Sequence, residues 1–208
     1  MYDLYVITDE ELSLGLSHSE IAELACRGGA DVIQLRDKKM SKEEMLKAAM
    51  EIRRITSLYD VLFFVNDHPD IAIASEADGV HLGQSDMNVM EAVKLNENML
   101  VGISVGSLKE ALDAEKGGAD YIGFGPVFST SSKHDAGNAV GLELLKKIRS
   151  SVKIPIVAIG GMAKHNIKDV ITSGADGIAV ISAVVSQEDV KKATEELKEI
   201  ISSAKLRA

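Results

Sequence analysis

The chain has 208 residues, of which 46% are hydrophobic and 26% are charged. This balance is typical of a globular protein and excludes general disorder. The formal net charge of −9 repels nucleic acid and anionic lipid, so we expect neither as a partner. The start lacks a basic n-region followed by a long apolar stretch, and no apolar run approaches the length of about 18 residues that a membrane span needs. These features predict a cytoplasmic protein.

Short β-branched runs alternate with amphipathic segments along the whole chain. The strand candidates are LYVIT (4–8), VIQL (32–35), LFFV (62–65), GVHL (79–82), LVGIS (100–104), YIGF (121–124), PIVAIG (155–160) and GIAVIS (177–182). The segments between them place apolar residues at helical spacing. Eight β-then-α units predict an α/β fold, a (β/α)8 TIM barrel forming one domain over residues 1–208. The main alternative is an open doubly wound sheet, which would carry a glycine fingerprint after the first strand; ITDEELSLG does not match it.

Four of these strands follow almost the same phrase. GGAD occurs at 28–31 and again at 117–120, EADG at 76–79 and GADG at 174–177. Glycine is a common helix terminator, and small residues turn the chain into the next strand. Such repetition favours a closed ring of equivalent units over a chain of two domains.

Polar residues close the second predicted strand, in the segment QLRDKK. Gln34, Arg36 and Lys38 alternate, so an extended backbone points all three to one face. In a barrel the chemistry lies at the carboxyl ends of the strands. We therefore expect an amide and two cations over the barrel mouth; a solvated strand end with ion pairs to Asp37 or to the next helix is the alternative.

Aspartates follow the third and fourth predicted strands. Asp67 and Asp86 each lie a few residues past a strand, and neighbouring parallel strands are about 4.8 Å apart. One or two carboxylates completed by substrate phosphates are the ligands that Mg²⁺ prefers. The alternative is that each aspartate caps the helix that follows it.

Hydroxyl groups and glycines close the remaining strands. Ser104 ends the fifth, and a long loop at 125–141 follows the sixth with Thr130, Ser132 and Lys133 as donors. Long loops of this kind are often lids, and hydroxyls beside a lysine are suited to gripping a phosphate.

The last two predicted strands end in Gly160-Gly161 and Ile181-Ser182, and a helix follows each. Backbone N–H groups at helix starts bind phosphate, and the loops after strands 7 and 8 are the usual phosphate site of a barrel. A tight turn is the alternative for the glycine pair.

The histidines and the cysteine are less informative. We expect His18 and His165 to be solvated at helix starts, His81 to be packed at the end of a strand, and Cys26 to be a buried, unreactive thiol. The histidine spacing does not resemble a zinc site. Two anion sites, a metal site and a lid on one rim suggest the joining of two phosphorylated molecules, with a metal drawing off pyrophosphate.

Several segments together resemble the thiamine phosphate synthase family. They are QLRDKK, VNDHPDIAIASEADGVHLGQSDM, GADYIGFGPVFSTSSKHD, PIVAIGG and GADGIAVISA, and they occur in the family's order over nearly the full length. The resemblance implies a barrel transferase that joins hydroxymethylpyrimidine pyrophosphate to thiazole phosphate, giving thiamine phosphate and pyrophosphate with Mg²⁺ as cofactor.

The resemblance also implies roles for residues that match the family's motifs. Gln34, Arg36, Lys38 and Asn66 would contact the pyrimidine substrate and its pyrophosphate, Asp67 and Asp86 the magnesium, Ser104 the pyrimidine, Lys133 the pyrophosphate, and Thr130, Ser132, Gly161, Ile181 and Ser182 the thiazole phosphate. Arg36, Lys38, Ser104 and Lys133 would be the catalytic members of this set. The partners would be small phosphorylated molecules, and the apolar helix faces are compatible with a homo-oligomer as well as a monomer.

Two departures from the family pattern bear on this reading. The lid commonly reads Pro-Thr-x-Thr-Lys, whereas this chain has serine at 129 and 132. The segment after the fifth strand often carries a histidine where this chain has Gly106. The nearest alternative, a thiazole tautomerase of the same fold, uses a histidine in that position as its base. Because glycine cannot move a proton, Gly106 favours the synthase.

Overall fold

A computed structural model of the protein describes residues 2–130, 132 and 137–206. Its strands are β1 (Leu4–Ile7), β2 (Val32–Leu35), β3 (Leu62–Asn66), β4 (Gly79–Leu82), β5 (Leu100–Val105), β6 (Tyr121–Phe124), β7 (Ile156–Ile159) and β8 (Gly177–Val180). All neighbours pair in parallel, and β1 pairs with β8, so the sheet closes into a barrel in sequence order. The predicted barrel is confirmed, and each strand lies within two residues of its predicted bounds.

Helices follow every strand on the outside of the barrel. They are α1 (His18–Arg27), α2 (Lys42–Tyr59), α3 (Pro69–Ala74), α4 (Val89–Leu95), α5 (Leu108–Gly117), α6 (Gly141–Arg149), α7 (Ile167–Thr172), α8 (Ser182–Val185) and α9 (Val190–Lys205). Ser17 and Ser41 open α1 and α2 with capping boxes, each completed by a glutamate three residues on. The two hydroxyls satisfy backbone donors that would otherwise lack partners.

The four repeated phrases have a structural explanation. The aspartate of each phrase precedes an even-numbered strand, and its carboxylate accepts a hydrogen bond of 2.7–2.8 Å from the first or second backbone N–H of the preceding strand. The aspartate's own N–H donates to the carbonyl of that same strand residue. The four aspartates are Asp31, Asp78, Asp120 and Asp176. Each therefore fixes the start of a strand pair at the amino-terminal end of the barrel.

The barrel interior holds a cluster of aromatic rings. Tyr5, Phe64 and Tyr121 are fully buried, with ring centroids 5.5–6.0 Å apart. Glycines in the strands make room for them: a Cβ on Gly79 would lie 2.3 Å from the Phe64 ring, and one on Gly102 would lie 2.2 Å from the Tyr121 ring. The core beneath the mouth is thus filled by large rings that need small neighbours.

The structure also bears on the expectations for Cys26 and for membrane-spanning helices. Burial raises the pKa of the Cys26 thiol to about 12, which makes it unreactive at neutral pH. Within residues 2–130, 132 and 137–206, no helix has the length and apolar character that crossing a bilayer requires.

Candidate active site

A cavity of about 480 Å³ opens at the carboxyl ends of the strands. This volume lies within the range of small-molecule sites. The predicted site residues that line it are Arg36, Lys38, Asn66, Asp67, Asp86, Ser104, Thr130, Ser132, Gly161, Ile181 and Ser182. Gln34 lies deeper in the barrel, and Lys133 lies outside the described residues. Residues at or just after the ends of seven different strands therefore line one space.

Two carboxylates meet on one side of this cavity. The Asp67 carboxyl lies beside that of Asp86, and burial together with the neighbouring Asp86 carboxylate raises the pKa of Asp67 to about 6. The Lys38 charge acts in the opposite direction but does not outweigh them. Ionisation of Asp67 beside a second carboxylate is therefore less favourable than that of an isolated carboxyl group.

Backbone geometry holds Asp67 in this position. Its φ of 63° is left-handed, and its N–H donates to the carbonyl of His81 at 2.9 Å. Asp86 accepts a hydrogen bond from the Gly83 N–H at 2.7 Å. Neither aspartate caps the helix that follows it, because the N-caps of α3 and α4 are His68 and Asn88. The capping alternative is thereby excluded.

The carboxylate pair is a suitable donor set for a divalent cation. A cation of charge +2 would offset the negative charge of both carboxylates and so favour the ionised form of Asp67. Among the residues that the structure describes, no three His, Cys, Asp or Glu side chains gather into a metal site. Mg²⁺ is commonly held by one or two protein carboxylates, with phosphate and water in its remaining coordination positions, whereas zinc prefers His and Cys ligands. The carboxylate pair therefore suits Mg²⁺ better than zinc.

Arg36 and Lys38 line the same cavity from the segment after β2. The Arg36 side chain is 11% exposed and its guanidinium lies 4.0 Å from the Asp9 carboxylate. Asp37, between the two cations, accepts hydrogen bonds from the N–H groups of Lys39 and Met40. These bonds lower the pKa of Asp37 against the effect of its partial burial. These bonds hold the segment in a turn, with Arg36 partly buried and Lys38 exposed at the rim of the cavity.

His18 supports this segment, and its predicted exposure was wrong. The imidazole is 1% exposed, with Nδ1 lying 2.7 Å from the Thr8 hydroxyl and Nε2 lying 3.3 Å from the Asp37 carboxylate. It joins the end of β1 to the segment that carries the two cations. Sequence reasoning missed it because its partners are distant in the chain and no local spacing marks them.

Hydroxyls and glycines lie on the other side of the mouth. The loop after β6 is fixed to β7 by bonds from the Val127 and Phe128 N–H groups to the carbonyls of Ile159 and Gly160, at 2.9 and 3.1 Å. Gly160 and Gly161 have φ of 99° and 65°, and a Cβ on either would meet Pro126 or Phe128 within 2.7 Å. The glycine pair therefore forms a turn, and its lack of side chains lets the loop after β6 pack directly against it.

Ser132 and Ser182 bring two of the predicted phosphate-binding segments together. Their hydroxyl oxygens are 2.8 Å apart, which links the loop after β6 to the first residue of α8. Because β4 and β8 are four positions apart in a ring of eight, this pair faces the carboxylates across the mouth. The site therefore has a carboxylate side and a hydroxyl-rich side with the cavity between them.

The fold and the site define a barrel enzyme with one large polar cavity at the carboxyl ends of its strands. Residues 4–184 match the family described as thiamine monophosphate synthase. Thiamine-phosphate synthase of Methanocella arvoryzae is 55% identical over 99% of this chain and 97% of its own, and that of Methanoculleus marisnigri is 52% identical over 98% and 97%. A solved structure of thiamine phosphate pyrophosphorylase from Pyrococcus furiosus superposes with a TM-score of 0.91 at 50% identity, covering 98% of this chain and 96% of that one.

The chain belongs to the thiamine monophosphate synthase family, and it is an enzyme of the transferase class. The resemblance carried by the sequence motifs is confirmed.

Proposed function

We propose that this enzyme couples hydroxymethylpyrimidine pyrophosphate to thiazole phosphate and releases thiamine phosphate and pyrophosphate. The bond between the pyrimidine methylene carbon and the pyrophosphate oxygen breaks, and a bond from that carbon to the thiazole nitrogen forms. The observation that carries the proposal is the opposition of the Asp67–Asp86 pair and the Ser132–Ser182 pair across one cavity. Such an arrangement holds two anionic groups apart while their organic parts meet between them.

The pyrophosphate end belongs on the side of the carboxylate pair. Asp67 and Asp86 would hold Mg²⁺, which would neutralise negative charge on the departing pyrophosphate. Arg36 and Lys38 line the same part of the cavity and add positive charge there, and Asn66 adds an amide. We assign Lys133 to the same group from its place in the lid sequence. Stabilisation of developing charge by fixed groups of this kind commonly contributes several kcal/mol.

The thiazole phosphate belongs on the opposite side. Thr130, Ser132 and Ser182 supply hydroxyl donors, and Gly161 and Ile181 supply backbone at the same wall. Holding the phosphate there would place the thiazole nitrogen against the pyrimidine methylene, and positioning of this kind removes much of the entropic barrier. We propose a dissociative order in which pyrophosphate leaves first and the nitrogen then attacks, so no protein nucleophile is required.

Both substrates carry phosphate groups that do not cross membranes unaided, so we place the reaction in the cytoplasm. The tautomerase alternative is disfavoured at the cavity itself, where Gly106 lines the wall without a side chain that could act as a base. An isomerase acting on one thiazole phosphate would also have no use for the facing carboxylate pair.

The test is an omission assay on the purified protein. We expect pyrophosphate release only when both phosphorylated substrates and Mg²⁺ are present, and loss of release when EDTA is added. Turnover of a thiazole carboxylate phosphate alone, unchanged by EDTA, would show the tautomerase instead. Binding of thiamine phosphate without any turnover would show a protein that only senses the product.

A further inference from the structure

A continuous row of hydrogen-bonded side chains crosses the barrel interior beneath the mouth. Gln34 Nε2 lies 2.8 Å from the Tyr5 hydroxyl, which lies 2.9 Å from the Tyr121 hydroxyl. The Tyr121 hydroxyl lies 2.8 Å from His81 Nδ1, and His81 Nε2 lies 2.9 Å from the Ser104 hydroxyl. We call these five side chains the interior chain. It joins five different strands, and its first four members are at most 8% exposed.

The protons that each group carries determine which group donates and which accepts in every hydrogen bond of the interior chain. The Gln34 amide donates to Tyr5, so the Tyr5 proton goes to the Tyr121 oxygen and the Tyr121 proton goes to His81 Nδ1. Burial raises the pKa of both phenols, so both keep their protons at neutral pH. A histidine that accepts at Nδ1 carries its proton on Nε2 and donates it to Ser104. The Ser104 proton is then directed away from His81.

The two ends of the interior chain therefore present opposite groups. Ser104 lines the large cavity and offers a donor there. Gln34 Oε1 is buried and is an acceptor without a hydrogen-bond partner. It lies beside a narrow space of about 20 Å³ whose walls include Ser104, Gly123, Ile159 and Ala179, which also line the large cavity.

An unpartnered buried oxygen has to be explained, because it has lost its hydrogen bonds to water without gaining any from the protein. This loss is recovered when a ligand group donates to it. The strands are also adapted to the interior chain: a Cβ on Gly123 would lie 2.8 Å from the His81 ring, and one on Gly102 would lie 2.5 Å from the Tyr121 hydroxyl. Buried polar networks of this kind are favourable only when every member is satisfied.

We propose that Tyr5, Tyr121 and His81 are specificity-determining positioning residues, which hold Gln34 as an acceptor and Ser104 as a donor towards one edge of a heteroaromatic substrate ring. This inference rests on the proposed function. The ring it selects carries an amino group beside a ring nitrogen, as an aminopyrimidine does. The amino N–H donates to Gln34 Oε1, and the ring nitrogen accepts from Ser104. A ring with an oxo group and a ring N–H has the reverse pattern and is rejected.

The decisive comparison uses two tyrosines whose rings stack 4.9 Å apart. Tyr121→Phe removes a hydroxyl from the middle of the interior chain, whereas Tyr2→Phe removes a neighbouring hydroxyl that lies outside it. The measured quantity is the ratio of kcat/KM for the aminopyrimidine pyrophosphate to that for its oxo analogue. We expect a ratio of at least about 100 in the wild type and in Tyr2→Phe, and a ratio reduced roughly tenfold or more in Tyr121→Phe.

Tyr5→Phe serves as a second variant, because it interrupts the interior chain while leaving the Tyr121–His81 bond in place. It should reduce the ratio as Tyr121→Phe does. A wild type without turnover would overturn the proposed function itself. An active wild type whose ratio is unchanged in Tyr121→Phe and Tyr5→Phe would overturn only the inference about the interior chain.

A spectroscopic measurement on the wild type needs no variant to fold. In ¹⁵N-labelled protein, the resonance assigned to His81 should show a proton on Nε2 and none on Nδ1, and the assignment follows from its loss in His81→Asn. A proton on Nδ1 would reverse every bond of the interior chain and make Ser104 an acceptor, which contradicts the proposal.

Discussion

The carboxyl groups of Asp67 and Asp86 lie close enough at the mouth of the barrel to interact, although they follow different strands. Their closeness is unfavourable in the metal-free protein, because burial and mutual repulsion raise the pKa of Asp67 to about 6. Sites that destabilise their own fold in this way are commonly functional. The pair therefore links the stability of the chain to its proposed chemistry.

Replacing Asp67 by asparagine should stabilise the metal-free protein at neutral pH. The raised pKa means that folding is penalised as the pH rises from 3.8 towards about 6, and the penalty is complete above that range. The amide introduced by Asp67→Asn would donate to Asp86 without a charge, and asparagine tolerates the left-handed φ. We expect a gain on the order of 1 kcal/mol at pH 7.5, after allowing for solvent screening, and no gain below pH of about 4. Thermal unfolding in EDTA at both pH values measures it.

Asp70→Asn is the matched control for this substitution. Asp70 is exposed, and its hydrogen bond and ion pair with Lys42 lower its pKa, so its charge favours folding at neutral pH. Asp70→Asn should therefore lower the unfolding temperature slightly or leave it unchanged. Equal shifts in the two variants would show that the Asp67 carboxyl is not under strain.

Replacing Asp86 by asparagine should weaken the response to magnesium without unfolding the protein. The asparagine oxygen can still accept from the Gly83 N–H, but the site loses one of two charges that would hold the cation. We expect the half-saturating Mg²⁺ concentration to rise at least about tenfold, in line with the loss of one charged ligand. Initial rates against Mg²⁺ concentration measure this. A curve superimposable on that of the wild type would assign Asp86 a structural role only.

Gly102→Ala should be strongly destabilising, whereas Gly106→Ala should be tolerated. Both glycines lie at or just after β5, but a Cβ on Gly102 would lie 2.2 Å from the Tyr121 ring and one on Gly106 would have no neighbour closer than 3.6 Å. Overpacking of a well-filled core costs about 1–3 kcal/mol or more. Chemical denaturation of the two variants tests the difference, and equal midpoints would contradict the packing described for the barrel interior.

Ser182→Ala should raise KM for thiazole phosphate and leave KM for the pyrimidine substrate nearly unchanged. Ser182 lines the cavity and contacts Ser132, whereas Ser186, at the other end of α8, is absent from the cavity lining and is a suitable control. The loss of one hydrogen bond to a charged phosphate corresponds to about 10-fold in KM. A change in the pyrimidine KM instead would place the two substrates the other way round.

Much of the fold could be predicted from the sequence, because the strand runs and helical spacing are local signals. Part of the site could be predicted as well. In a barrel, the residues at the carboxyl ends of the strands lie around one mouth, and this rule predicts that Asp67, Asp86 and Ser182 lie there. The pairing of Ser132 with Ser182 and the burial of His18 did not follow, because both depend on contacts between distant segments.

Gln34 shows the limit of the alternation argument. The spacing predicts that Gln34 and Arg36 point to one face of an extended segment, but it does not say how deep each lies in the barrel. The structure buries Gln34 in the barrel, bonded to Tyr5, while Arg36 lines the mouth. Depth is set by where the neighbouring strands end and by which rings fill the interior, and neither property is encoded in the local segment.

The central claim is that two phosphorylated molecules are joined at this one mouth. Mass spectrometry of a reaction containing both substrates, Mg²⁺ and purified protein tests it most directly. We predict thiamine phosphate and pyrophosphate in equal amounts, and neither product when Asp67 and Asp86 are both replaced by asparagine. Product formation at an undiminished rate by that double variant, or no thiamine phosphate from the wild type, would contradict the account.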